Sequence, residues 1–166
     1  MASDYRLELF NHPAELDVVG EASFVDSLKE AHYRTGGGLV VAVLIPEPDN
    51  PHDMNAIRVV LVHDGVNMMA GYLPRASAAE LAPLINDWVK HGALPVVGAS
   101  IHPFDSDDRG RLFHVRIGGT PPLRPGATFR AGTTSTARRG IRGPLVYIGV
   151  PIVILIAFIA ILTGNR

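Results

Sequence analysis

The sequence predicts a mainly β domain with a few short helices (α+β), followed by one C-terminal transmembrane helix. Three observations carry this expectation. Short β-branched runs recur between Gly, Pro and Asx punctuation through residues 1–117. Two intervening stretches switch to a helical period. Residues 144–162, PLVYIGVPIVILIAFIAIL, contain no charge over 19 positions.

The elements follow in order. Residues 1–14 form an N-terminal segment whose opening, MASDYRLELF, is too polar for the apolar core of a signal peptide. ELDVVG (15–20) is a short strand. SFVDSLKEAHYR is a helix, with Ser23 and Asp26 spaced as a capping box, and the glycines at 36–38 stop it. LVVAVLI (39–45) is a β-branched strand. AIRVVLVH (56–63) and NMMAGYL (67–73) flank Asp64-Gly65, a strong hairpin signal. PRASAAELAPLINDWVKHG is helical, with Ser77 and Glu80 spaced as a capping box and Gly92 placed as a C-cap. Pro83 removes an interior hydrogen bond, so two short helices are expected, the second starting near Pro83. ALPVVGASIH (93–102) and RLFHVRI (111–117) complete six strands. Short strands with interposed helices suggest a small six-stranded β-barrel of OB- or SH3-like architecture over residues 15–117.

Residues 118–143 are rich in Gly, Pro and Thr, hold five arginines, and read as a flexible linker. As a helix, residues 144–162 would span about 28 Å at ~1.5 Å per residue, against a hydrocarbon core of roughly 30 Å. Tyr147 sits near one end, where an interfacial aromatic is favoured, and Gly149 and Pro151 are tolerable within such a helix. Arg138, Arg139 and Arg142 precede the span and only Arg166, in the short tail 163–166, follows it. The positive-inside rule then puts the body in the cytoplasm of a single-pass, tail-anchored protein, with membrane lipid as one partner.

Charge is unevenly distributed. All 16 Asp and Glu lie within residues 1–117 beside nine Lys and Arg, a formal −7, whereas the remaining 49 residues hold six arginines and no acid. The absence of cysteine excludes disulfides, thiolate zinc sites and a cysteine nucleophile. Neither lysine, Lys29 or Lys90, follows a glycine, so no Walker A loop exists. Neither a G-x-S-x-G elbow nor an H-E-x-x-H pair occurs, and no enzyme and no cofactor is expected. DSDDRG (105–110) mimics the start of a calcium loop but places Arg109 and Arg116 at ligand positions, so it reads as a polar turn. His52, Asp53 and His63 are the only metal set worth weighing, and nothing in their spacing fixes the third ligand.

The most specific stretch is E47-P48-D49-N50-P51-H52-D53-M54-N55-A56-I57-R58-V59, followed by G71-Y72-L73-P74-R75 and A79-E80-L81-A82-P83-L84. With V18-V19-G20 and Phe24 upstream, it resembles the HIRAN domain family over about residues 15–117. The resemblance implies an OB-like barrel variant and a non-catalytic, DNA-binding module. Some members capture the 3′ end of single-stranded DNA by aromatic stacking, a carboxylate on the terminal hydroxyl and basic contacts to phosphate. On that resemblance Asp53 is the end-reading carboxylate, and Asn55 follows it at motif spacing. His52 replaces the usual aromatic, Arg75 is a phosphate contact, and Phe24 is one retained aromatic. Ala22 and Ser23 stand where end-binding members place an arginine and another aromatic.

From the residues alone, Glu47, Pro48, Asn50, Pro51, Ala56, Gly71 and Pro74 are motif positions that shape backbone. Asp53 and Asn55 are either ligand contacts or loop-bonding residues, and Tyr72 and Trp88 read as packing residues. Two functions remain open: a nucleic-acid module, working alone or beside a separate enzyme subunit, and a protein-interaction or structural module. The acidic body favours the second and the motif the first.

Overall fold

A computed structural model describes residues 4–11, 14–122 and 128–130. It contains β1 (Asp4–Leu9), β2 (Leu16–Asp17), a 3-10 turn (Glu21–Ser23), α1 (Val25–Thr35), β3 (Val40–Pro46), β4 (Ile57–His63), β5 (Val66–Tyr72), α2 (Arg75–Lys90), β6 (Ala93–Ser106), β7 (Gly110–Ile117) and β8 (Thr128–Arg130).

The strands form one eight-stranded sheet in the order β2-β7-β6-β3-β4-β5, with β1 and β8 joined to it through β6. β6 is long because it serves three neighbours. Its first residues run parallel to β1, its middle pairs with β3 and its last half pairs with β7. The Asp64-Gly65 turn has positive φ at both residues (48° and 76°), the primed geometry whose twist suits a two-residue hairpin.

Alternation sorts the apolar residues onto two faces. Ala42, Leu44, Ile57, Val59, Leu61, Met68 and Ala70 pack against Leu28 and Ala31 of α1 and Ala78, Leu81, Ala82 and Ile85 of α2. On the opposite face Val43, Val60, Leu94 and Val96 pack with Leu7 of β1 and Phe129 of β8.

Four expectations need correction. The sheet has eight strands, not six. β1 lies inside the segment 1–14, and β8 lies inside the stretch expected to be linker. β1 alternates Tyr5, Leu7 and Leu9 with Arg6 and Glu8, a pattern hidden by its polar surroundings, and β8 is too short to show any period. The barrel does not close: β2 and β5, the two ends of the strand path, meet only at the single bridge Val19–Tyr72, with N–H to O distances of 2.8 and 2.9 Å.

Neither capping box forms. Ser23 belongs to the 3-10 turn, Phe24 and Pro74 occupy the two N-cap positions, and neither makes a side-chain cap bond. Finally, α2 is one continuous helix through Pro83. Pro83 and Ala79 are both exposed, so the carbonyl that loses its i+4 donor faces water, while the buried stripe on the other side holds the helix together. Gly92, by contrast, follows the helix with φ 73°, as a C-terminal glycine should.

Among the described residues, no helix is long and apolar enough to cross a membrane. The expected span at 144–162 lies outside the described residues, as does most of the expected linker.

Candidate nucleic-acid interface

The loop from Glu47 to Ala56 is built by short-range bonds that its own side chains supply. Glu47 N–H donates to Ala56 O (2.8 Å) and closes the loop at its base. Pro48 and Asp49 form the turn that brings Asn50 N–H to Glu47 O (3.0 Å), and Asn50 Nδ2 also donates to Glu47 Oε2 (3.0 Å). After Pro51, His52 N–H returns to Asn50 Oδ1 (3.0 Å). Asn55 N–H donates to Asp53 Oδ1 (2.9 Å), and Ala56 N–H to Asp53 O (2.9 Å). Both Asx side chains therefore replace backbone acceptors in successive tight turns.

These turns leave Asp53 with its second oxygen facing Arg75, Oδ2 to Nε 3.5 Å. Arg75 opens α2 directly after the Pro74 N-cap. Its side chain is 85% exposed while that of Asp53 is 19% exposed, so a recessed carboxylate sits beside an exposed cation. His52 is exposed beside them.

Sheet pairing gathers the remaining parts at the same end. Pro46 pairs with Ile57, Arg58 with Tyr72, and Tyr72 with Val19. The last bridge tethers the segment running through Gly20 to Phe24, which caps α1, beside the end of β5. Phe24 is half-buried there. Gly71 makes the crossing feasible, as a Cβ at this position would lie 2.3 Å from Val19 O.

Sequence reasoning missed the second group at this end. Glu47 accepts from Asn50 and the Tyr72 phenol, and its Oε1 lies 3.2 Å from Arg58 NH1. Burial, then the negative charge of Glu47 and its hydrogen bond, raise the Tyr72 phenol above its usual pKa of 10.0, with Arg58 opposing. Arg58 Nε is buried with no hydrogen-bond partner. Tyr72 is thus a partly buried ring at this end of the sheet, with its phenol tied to Glu47. The signal was out of reach because an irregularity in register between Val59 and Val60 sets Arg58 opposite Tyr72; an unbroken ladder from the Asp64-Gly65 turn would have set it opposite Gly71.

The weighed metal set does not assemble. His63 lies at the far end of β4 from His52 and Asp53, with Nε2 3.4 Å from Asp64. Among the described residues no group of three or more potential ligands could hold a metal ion. In the 105–110 turn, Arg111 binds both oxygens of Asp105 at 3.0 Å and lowers that carboxyl's pKa.

Residues 29–92 match the family model of the HIRAN domain. The chain contains a HIRAN domain. No curated protein and no solved structure matches it. The HIRAN match runs from α1 through the 47–56 loop, the β4–β5 hairpin and all of α2. It includes Asp53, Arg75, Arg58 and Tyr72 and leaves Phe24 outside. A HIRAN domain points to a nucleic-acid-binding module.

Proposed function

We propose that this HIRAN domain binds the 3′ end of a single DNA strand at the rim formed by the 47–56 loop, the end of β5 and the start of α2. The pairing of Asp53 with Arg75 carries this reading. A carboxylate accepts a hydrogen bond from a terminal hydroxyl but repels a phosphate at that position, and it thereby separates a free end from an internal linkage. Arg75, with its side chain 85% exposed, meets the preceding phosphate. Tyr72, with exposed His52 in the 47–56 loop and Phe24 five residues after the Val19 bridge, supplies flat rings for sequence-tolerant stacking, worth about 1–3 kcal/mol per base. The domain acts by binding alone, and the apolar run 144–162 anchors it in a membrane with the body on the cytoplasmic side.

The test uses the full chain in mild detergent at low salt and fluorescence anisotropy. Labelled single strands ending in a 3′-hydroxyl bind more tightly than the same strands ending in a 3′-phosphate. Asp53→Asn removes the preference, and Arg75→Ala weakens both strands. Equal and negligible binding of the two strands overturns the reading. It would favour the second function, a protein-interaction module, for which the formal −7 of residues 1–117 is the supporting observation.

A further inference from the structure

The sequence holds four methionines, Met1, Met54, Met68 and Met69. Met1 lies outside the described residues, and two of the others belong to the packed interior. Met68 is fully buried in the main cluster, and Met69 is partly buried against the second. Met54 is 72% exposed, the highest exposure of any large apolar side chain among the described residues. It stands between Asp53 and Asn55, at the corner of the turn that Ala56 N–H closes on Asp53 O (2.9 Å). The bond from Asn55 N–H to Asp53 Oδ1 (2.9 Å) fixes the same corner through a side chain.

Nothing in the turn calls for methionine. Its first central position accepts most residues, and polar ones are favoured at such corners. An apolar side chain held in water there gains nothing from the fold. The neighbours of Met54 give it a use. Asp53, whose Oδ2 lies 3.5 Å from Arg75 Nε, is next to it in the chain. A flexible, polarisable thioether beside that pair suits the face or edge of a base. The same exposure opens its sulfur to oxidants, whereas that of Met68 is shielded.

We propose that Met54 is a methionine-oxidation site at the rim, with hydroperoxides as its substrate class, and that its oxidation weakens capture of a strand end. The sulfur attacks one peroxide oxygen, the O–O bond breaks and an S–O bond forms. Sulfur gives up two electrons to the peroxide. The other peroxide oxygen leaves as water or an alcohol, with the peroxide's own proton. The sulfoxide is polar and chiral, so the apolar contact to a base is lost. Its oxygen also offers the Arg75 guanidinium an acceptor that competes with phosphate. The effect on binding rests on the end-binding reading of the rim, and the oxidation itself does not.

The full chain in peroxide-free mild detergent is dosed with hydrogen peroxide, and peptide mass spectrometry follows oxygen uptake at Met54, Met68 and Met69. Met54 gains its oxygen first, while Met68 and Met69 stay unmodified. Anisotropy on the same samples shows affinity for a 3′-hydroxyl strand falling about two- to tenfold. Methionine sulfoxide reductases restore it, and excess strand slows the oxidation of Met54. Met54→Leu shows no change of affinity on dosing. Oxidation that reaches Met69 as fast as Met54 overturns the proposal. So does an affinity that falls equally in Met54→Leu, or an oxidised Met54 that binds as tightly as before. Selective oxidation in a protein that binds no strand, dosed or not, sinks the end-binding reading and leaves the oxidation site standing. Binding that depends on Asp53 beside an unreactive Met54 does the reverse.

Discussion

At Gly71, φ is 148°, and a Cβ would lie 2.3 Å from the Val19 carbonyl oxygen and 2.8 Å from Val18 Cγ1. Neither neighbour can yield, because Val18 is buried in the main core and Val19 O accepts Tyr72 N–H. Gly71→Ala therefore combines backbone strain with overlap and should cost about 3 kcal/mol or more, read as a lowered midpoint in urea. The same substitution should detach Val19 from Tyr72. Glu47 is the second residue with consequences beyond its own loop. Its charge and hydrogen bond help raise the Tyr72 phenol, so Glu47→Gln should bring that phenol back toward 10.0, read as tyrosinate absorbance during alkaline titration. The sign is that of a group whose pKa rises on folding: the stabilisation is complete below the unfolded value and disappears as pH climbs through the folded one. The variant should lose less stability across that alkaline window than the wild type.

Among the elements, β8 differs most from its appearance in the sequence. Three residues, TFR, lie in a stretch of linker composition, yet they pair with β1 through Asp4–Arg130, Tyr5–Phe129 and Arg6–Thr128. Phe129 is 4% exposed and joins Leu7, Val43, Val60, Leu94 and Val96 in the second cluster. Phe129→Ala should cost about 3 kcal/mol, and a chain ending at residue 120 should show a similar loss by thermal unfolding. α2 makes the opposite point. Pro83 is a helix breaker in isolation, and the sequence accordingly predicts two helices. The exposed Ala79 carbonyl can be satisfied by water, so the loss is small beside burial of Ala78, Leu81, Ala82 and Ile85.

For the molecule as a whole, charge constrains how nucleic acid could be held. Residues 1–117 carry a formal −7, and at the rim Arg75 and Arg58 are countered by Asp53 and Glu47. Such a surface suits capture of one end through few phosphates and not the coating of a long strand. The logarithm of affinity should fall with that of salt concentration at a slope of about −1, since single-strand contacts contribute about −0.7 each. A much steeper slope would indicate an extended basic surface and contradict end capture.

By itself, the sequence determined the local chemistry and most elements. The primed turn at Asp64-Gly65, the strands expected at 39–45, 56–63, 67–73 and 111–117, each within a residue of those observed, and the loop motif all follow from periodicity and turn residues whose causes lie within a few positions. It also determined the charge asymmetry and the HIRAN match of residues 29–92. Only the tertiary structure decided how distant residues meet. It put Arg75 beside Asp53, turned Tyr72 and Arg58 toward Glu47, brought Val19 against Gly71, and set His114 between Asp17 and Glu21. These pairings depend on strand register, on one irregularity in it, and on how far the sheet curls. Such quantities are set by packing across the whole core, and no short window of residues contains them.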